Sequence, residues 1–309
     1  MECLSDIINR DKHKYNFVED LEIELSTICN ANCPLCFRNY KAFSDKYPKT
    51  IVRNFNLLIN QLNLFENLKV VRLVGSVSEP TKYPRFLDII KYFKNRKIDI
   101  EICTNGDTNN SDFWQNLGIL LDFNDKVYFT ICGSTQELHS KYRVGTSLER
   151  ILKNAETLRL EKPIDYAQII RFKYNSDDLD SEPFKKLVEP FSFKYYTESF
   201  YPKLLQNYKN PFDIELFKPA KKVKQYDLAY KLANRLPLKS MKCKCKSFIN
   251  HWGQLDVYGN LYPCYLALEA QIPVNWNYEN IQNFEFDCCR FCAVQVSKYC
   301  EVNDIEYII

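Results

Sequence analysis

The chain has 309 residues, 46% hydrophobic and 26% charged, a composition that supports a sizeable core plus a small second module and excludes disordered and collagen-like classes. A formal charge of +3 is too near neutral to argue for nucleic acid or an anionic membrane as a bulk partner. No apolar run approaches the roughly 20 residues that cross a bilayer, and the opening MECLSDIINRDKHK lacks the apolar stretch of a signal peptide, so a cytoplasmic protein without membrane attachment is expected.

From about residue 20 to 197, short β-branched runs alternate with segments of helical periodicity, the pattern of βα units on a parallel sheet. Strands are predicted at 21–26, 69–74, 99–104, 126–131, 164–172 and 192–197. Helices are predicted at 51–65, 84–95, 111–122, 147–160 and 181–189, with Ser111 and Thr146 as caps. The fold class expected is α/β, a partial (β/α)6 TIM-like barrel over 20–200 that follows an N-terminal extension, 1–19. The stretch 201–242 holds ten Lys or Arg against three Asp or Glu, with four prolines, and reads as a basic connector with one helix near 219–235. A small cysteine-rich module, 243–309, completes the chain, opening with two short strands around Gly259.

Thirteen cysteines are the strongest compositional signal. Without a secretory context they argue for metal or cluster ligation rather than disulfides, and three scattered histidines favour thiolate-only sites. Cys29, Cys33 and Cys36 form a CxxxCxxC loop directly after the first predicted strand. Three thiolates cannot complete a four-ligand site, and no fourth Cys or His lies in the loop, so one iron of a cubane would stay open to substrate or cofactor.

That spacing resembles the radical S-adenosylmethionine (radical SAM) enzyme superfamily. Downstream, Leu73-Val-Gly-Ser-Val-Ser-Glu79-Pro80 is similar to the family's Gly-Gly-Glu segment, with Ser76 and Ser78 where glycines are usual. Cys103-Thr-Asn105-Gly106 is similar to its TNG motif. Thr130-Ile-Cys132-Gly133 stands where many relatives read Ser-Ile-Asp-Gly, and His139 and Tyr142-Arg143-Val-Gly145 follow. The resemblance implies a 4Fe-4S cluster on Cys29, Cys33 and Cys36, and S-adenosylmethionine contacted by Leu35, Phe37, Ser78, Glu79, Asn105, Cys132, Arg143 and Gln168, with no protein side chain assigned a catalytic part. It further implies reductive cleavage of S-adenosylmethionine to a 5′-deoxyadenosyl radical, an electron donor such as flavodoxin or ferredoxin, and a peptide or small-molecule substrate.

In the C-terminal module the pattern C-x13-G-x4-C from Cys245 to Cys264, followed by Cys289 and Cys292, is similar to SPASM or twitch extensions. These four are the expected ligands of one auxiliary 4Fe-4S cluster, with Cys243, Cys288 and Cys300 as substitutes. A four-cysteine zinc ribbon has the same spacing and stays open. An auxiliary cluster would favour an oxidoreductase outcome; a redox-neutral epimerase and a non-catalytic metal-binding or redox-sensing protein are the alternatives. Tyr and Phe, 21 of each, read as core packing.

Overall fold

The computed structural model describes residues 15, 18–39, 45, 47–161, 165–198, 214–217, 243–244, 252–262 and 301–302. The chain divides into two compact units, one of 1–22, 56–69 and 223–309 and a larger one of 23–55 and 70–222. The architecture is α/β, an open partial barrel built on a parallel sheet.

Strand β1 (Asp20–Ile23) leads into the larger unit. Helix α1 (Phe55–Leu62) buries Leu58 and Leu62. It is shorter than the predicted 51–65 because Ile51, Val52 and Arg53 are extended: Thr27 N–H donates to Ile51 O at 2.9 Å and Arg53 N–H to Leu25 O at 3.1 Å. The β-branched pair keeps its preference for extended backbone there.

Five parallel strands form the sheet of the larger unit in sequence order: β2 (Val70–Leu73), β3 (Asp99–Thr104), β4 (Lys126–Ile131), β5 (Tyr166–Arg171) and β6 (Phe193–Glu198). Alternation decides their faces. In β3, Ile100 and Ile102 are fully buried, while Glu101 and Cys103 point to the opposite, half-exposed face. Helix α2 (Phe86–Asn95) sends Phe86, Ile89, Ile90 and Phe93 into the core at i, i+3, i+4 and i+7. Helix α3 (Ser111–Leu120) buries Trp114, whose indole packs 5.2 Å from the Phe129 ring and donates to Thr108 O at 2.9 Å. Its cap is Asn110, which accepts from Phe113 N–H, rather than the predicted Ser111. Among the described α-helices two escaped prediction, α4 (Gln136–Tyr142) and α6 (Ser176–Leu179), both too short to show a helical repeat. Helices α5 (Leu148–Glu161) and α7 (Glu182–Val188) match expectation, although Arg150 N–H caps on Ser147 and not Thr146.

The smaller unit contains two antiparallel pairs, β7 (Cys243–Lys244) with β10 (Glu301–Val302) and β8 (Trp252–Leu255) with β9 (Leu261–Tyr262). The second pair is the predicted hairpin around Gly259, which has φ +85°. Asp256 Oδ1 holds its turn, accepting from Tyr258 and Asn260 N–H at 2.9 and 2.8 Å. Cys245, Cys264, Cys288, Cys289, Cys292, Cys300 and the helix expected near 219–235 lie outside the described residues.

Candidate metal centre

Parallel strands deliver their following loops to one edge of a sheet, and the candidate residues other than Gln168, which lies within β5, follow strand ends. The cysteine loop is folded on itself by Cys36 N–H donating to Cys33 O at 3.1 Å, Asn39 N–H to Cys36 O at 2.9 Å and Asn39 Nδ2 to Cys33 O at 2.9 Å. Cys33 is buried and Cys29 and Cys36 are partly so. Burial first, then neighbouring negative charge, pushes the Cys29 thiol up to about 11, with Glu79 and Cys33 both opposing its ionisation. Burial and the Cys33 and Cys29 charges push the Cys36 thiol up to about 12. A cationic metal group at the three sulfurs inverts that balance, because thiolates bind metal in the deprotonated form.

Glu79 lies at the centre of the loop edge. Only 3% exposed, it accepts at Oε1 from Thr81 N–H (3.2 Å), Thr81 Oγ1 (2.7 Å) and Thr104 Oγ1 (2.7 Å), and at Oε2 from Asn105 N–H (2.7 Å). Its own N–H donates to Ile28 O at 2.8 Å. Burial holds its carboxyl above the usual range, against the downward pull of these donors. The loops after β2 and β3 therefore converge on the Glu79 carboxylate, and its backbone ties in the residue before Cys29. Asn105 extends the network, its Nδ2 donating to Asn30 Oδ1 at 3.0 Å and lying 3.8 Å from Cys29 Sγ. Gly106, at φ +72°, follows it with no room for a side chain: a Cβ would stand 2.7 Å from Phe129 Cδ1.

On the other side, Arg143 NH1 donates to Cys33 Sγ at 3.5 Å, and Asn32 N–H donates to Val144 O at 2.9 Å. The Cys33 and Cys132 charges hold the Arg143 guanidinium protonated against the cost of burial. His139 positions this turn. Its Nδ1 accepts from Cys132 N–H at 3.3 Å, and its Nε2 meets Thr146 Oγ1 at 3.0 Å, whose hydroxyl donates to Arg143 O at 2.8 Å. Burial keeps the imidazole neutral, pulling it down to about 3. Cys132, fully buried against Phe172 and Phe217, is flanked by Leu35 and Tyr142.

Gln168 sits one strand over, accepting from Thr130 Oγ1 at 3.1 Å, and Ser78 donates to Glu24 Oε2 at 2.9 Å. Phe37 contributes backbone to a short 3-10 helix, Phe37–Asn39. Glu79, Asn105, Arg143 and the three cysteines are thus drawn together, while Ser78 and Gln168 are engaged with other protein groups. The half-exposed face of the sheet adds a row absent from the sequence reading: Arg72 and Lys126 flank Glu101, at 2.8 and 2.7 Å, on neighbouring strands in register. Asp99, Asp122 and Asp125 also converge, but Lys94 bridges the last two at 2.7 and 2.9 Å, and the cluster braces the sheet.

Residues 23–164 match the family description Radical SAM superfamily. That match covers a little under half of the chain. The chain is also 28% identical over 148 residues to the tungsten-containing aldehyde ferredoxin oxidoreductase cofactor-modifying protein of Pyrococcus furiosus, covering 48% of this chain and 39% of that protein. It therefore spans about two-fifths of the length of that curated relative. Among solved structures, Streptococcus suis SuiB bound to S-adenosylmethionine superposes with a TM-score of 0.56 at 14% identity, over 94% of this chain and 72% of SuiB. The protein anSMEcpe with bound AdoMet gives 0.56 at 16% identity, over 88% and 77%. Both share the fold.

A radical SAM domain implies a 4Fe-4S cluster and S-adenosylmethionine. The residues fit such a group. Three thiols share one loop, and two guanidinium Nε atoms beside them, on Arg38 and Arg143, are buried without a hydrogen-bond partner. Arg38 was missed in the sequence because a lone arginine after the motif carries no pattern; only its buried, unpartnered nitrogen marks it. Among the described residues no helix is long and apolar enough to cross a membrane.

Proposed function

We propose that this protein is a radical SAM enzyme that uses Cys29, Cys33 and Cys36 to hold a 4Fe-4S cluster and oxidatively modifies a peptide or small metabolite. The observation that carries it is the convergence of Glu79, Asn105 and Arg143 on a three-thiol loop inside the matched domain. When bound, the cluster supplies one electron, drawn from a flavodoxin- or ferredoxin-type donor, for cleavage of S-adenosylmethionine, whose 5′-deoxyadenosyl radical takes a hydrogen atom from the substrate. The chain's part is placement. Arg143, fixed by the His139 and Thr146 chain, presents a permanent cation suited to the cofactor's carboxylate. Glu79 joins three loops, and Leu35, Cys132 and the aromatic rings behind them keep water from that side. Leu35, Phe37, Ser78, Asn105, Cys132 and Gln168 complete the proposed contacts.

A peptide substrate is supported by solved structures in which SuiB is bound to precursor peptide SuiA and anSMEcpe to the Cp18Cys peptide. The name of the Pyrococcus furiosus protein, cofactor-modifying, supports a small-metabolite substrate instead. Incubation with each class under reducing anaerobic conditions, followed by mass spectrometry, separates them: a product two hydrogens lighter marks oxidation, whereas an unchanged mass with altered stereochemistry marks the epimerase. A fully clustered sample that forms no 5′-deoxyadenosine overturns the enzyme reading in favour of a metal-binding or redox-sensing protein.

Arg143→Ala is expected to weaken S-adenosylmethionine binding by roughly tenfold or more, the scale of a lost charge-assisted pair, while iron content stays at the wild-type level. Wild-type affinity would remove Arg143 from the cofactor site. For the C-terminal cysteines the proposal is one auxiliary 4Fe-4S cluster on Cys245, Cys264, Cys289 and Cys292, which gives about eight irons per chain. The Cys29/Cys33/Cys36 triple substitution should then keep about half the iron, in a cluster indifferent to S-adenosylmethionine. Zinc in its place would make the module a structural ribbon.

A further inference from the structure

The cysteine loop holds two guanidinium groups, and Arg143 accounts for only one. Arg38 occupies the short 3-10 helix that follows Cys36. Its NH1 donates to Ala31 O at 3.2 Å, which pins the side chain back across the loop. Its Nε is buried with no acceptor, a costly arrangement unless an acceptor arrives from outside the protein. The two arginines divide the thiols between them. Arg143 donates to Cys33 Sγ, whereas Arg38 is tied across the loop to Ala31 O, where its charge acts on Cys29 and Cys36.

Resting on the functional reading above, we propose that Arg38 sets the reduction potential of the iron–sulfur group on Cys29, Cys33 and Cys36, its fixed positive charge and its buried Nε–H favouring the reduced state. Reduction there transfers one electron from the external donor and no proton, so the assembly of thiolates and cluster becomes more negative by one charge. A nearby buried cation stabilises that added charge more than it stabilises the oxidised state, and net charge and hydrogen bonds to sulfur are what tune such potentials. The same cation is not interchangeable with Arg143, which lies against a different thiol. Arg38 is thus a positioning and tuning residue with no contact to the substrate implied.

The test is a redox titration of the whole, cluster-loaded chain, monitored by the spectrum of the cluster that responds to S-adenosylmethionine. Arg38→Gln should shift its midpoint to more negative potential with iron content unchanged, and Arg38→Lys, which keeps the charge, should recover most of the shift. An Arg38→Gln midpoint equal to wild type overturns the proposal and leaves Arg38 as a tie to Ala31. Should Arg38→Gln lose iron, Arg38→Lys decides: retained iron and a near-native midpoint support the charge role, and loss of iron there as well overturns it. A wild-type chain whose clusters ignore S-adenosylmethionine would overturn the functional reading itself, a result distinct from a responsive cluster with an unmoved midpoint.

Discussion

Replacing any one of Cys29, Cys33 and Cys36 with alanine abolishes formation of 5′-deoxyadenosine and removes about four irons from the chain, about half its proposed content. With only three thiolates to the cluster, a single loss leaves two irons without a protein ligand. Nothing beside the loop replaces the missing sulfur: among the described residues the other nearby thiol is Cys132, fully buried in the Phe172 and Phe217 cluster. The core should survive the change, because these side chains contribute little to the packing that buries Trp114, Phe129 and the β3 isoleucines. Iron analysis and product chromatography on each variant, with circular dichroism as the folding control, test this. Wild-type cleavage by any of the three would end the assignment.

Glu79→Ala has the largest expected cost in stability, about 3 to 5 kcal/mol, since it leaves four donors facing a void where a buried carboxylate had satisfied them. For a unit of this size that is a fall of roughly 10 °C in Tm. Glu79→Gln should cost less, because its carbonyl can take the three donors now on Oε1 while its amide opposes only Asn105 N–H. Thermal unfolding of the three proteins without cofactor measures this directly. Equal Tm values would show that Glu79 is spare as a brace and is there for the cofactor alone.

The strands of the larger unit were legible because each is a short apolar run whose alternate residues are buried, and β3 and β4 fall on their predicted bounds. The three cysteines were singled out by their spacing after the first predicted strand, and Asn105 by its resemblance to the TNG motif. The start of α1 was not, since the apolar residues at 51–53 satisfy helical periodicity and extended pairing equally well. Helix α4 was missed for its length, yet it carries His139, and the sequence named that residue without showing what it holds. The chain from Cys132 N–H through His139 and Thr146 to Arg143 is a matter of tautomer and turn geometry, which no linear pattern encodes. Arg72, Glu101 and Lys126 share no linear pattern; strand register alone places them side by side.

Besides its local hydrogen bonds, the cysteine loop has contacts far along the sequence: Cys33 meets Arg143 across 110 positions, Cys29 meets Asn105 across 76, and Asn30 meets Asp107 across 77. During synthesis the three thiols leave the ribosome long before any of these partners exists, so the nascent loop is a set of exposed cysteines open to oxidation or to stray metal. The shell closes only once β4, α4 and the turn at Arg143 have folded onto the strands before them. A chain halted before Arg143 would therefore offer the three thiols without the guanidinium that meets Cys33 in the folded protein.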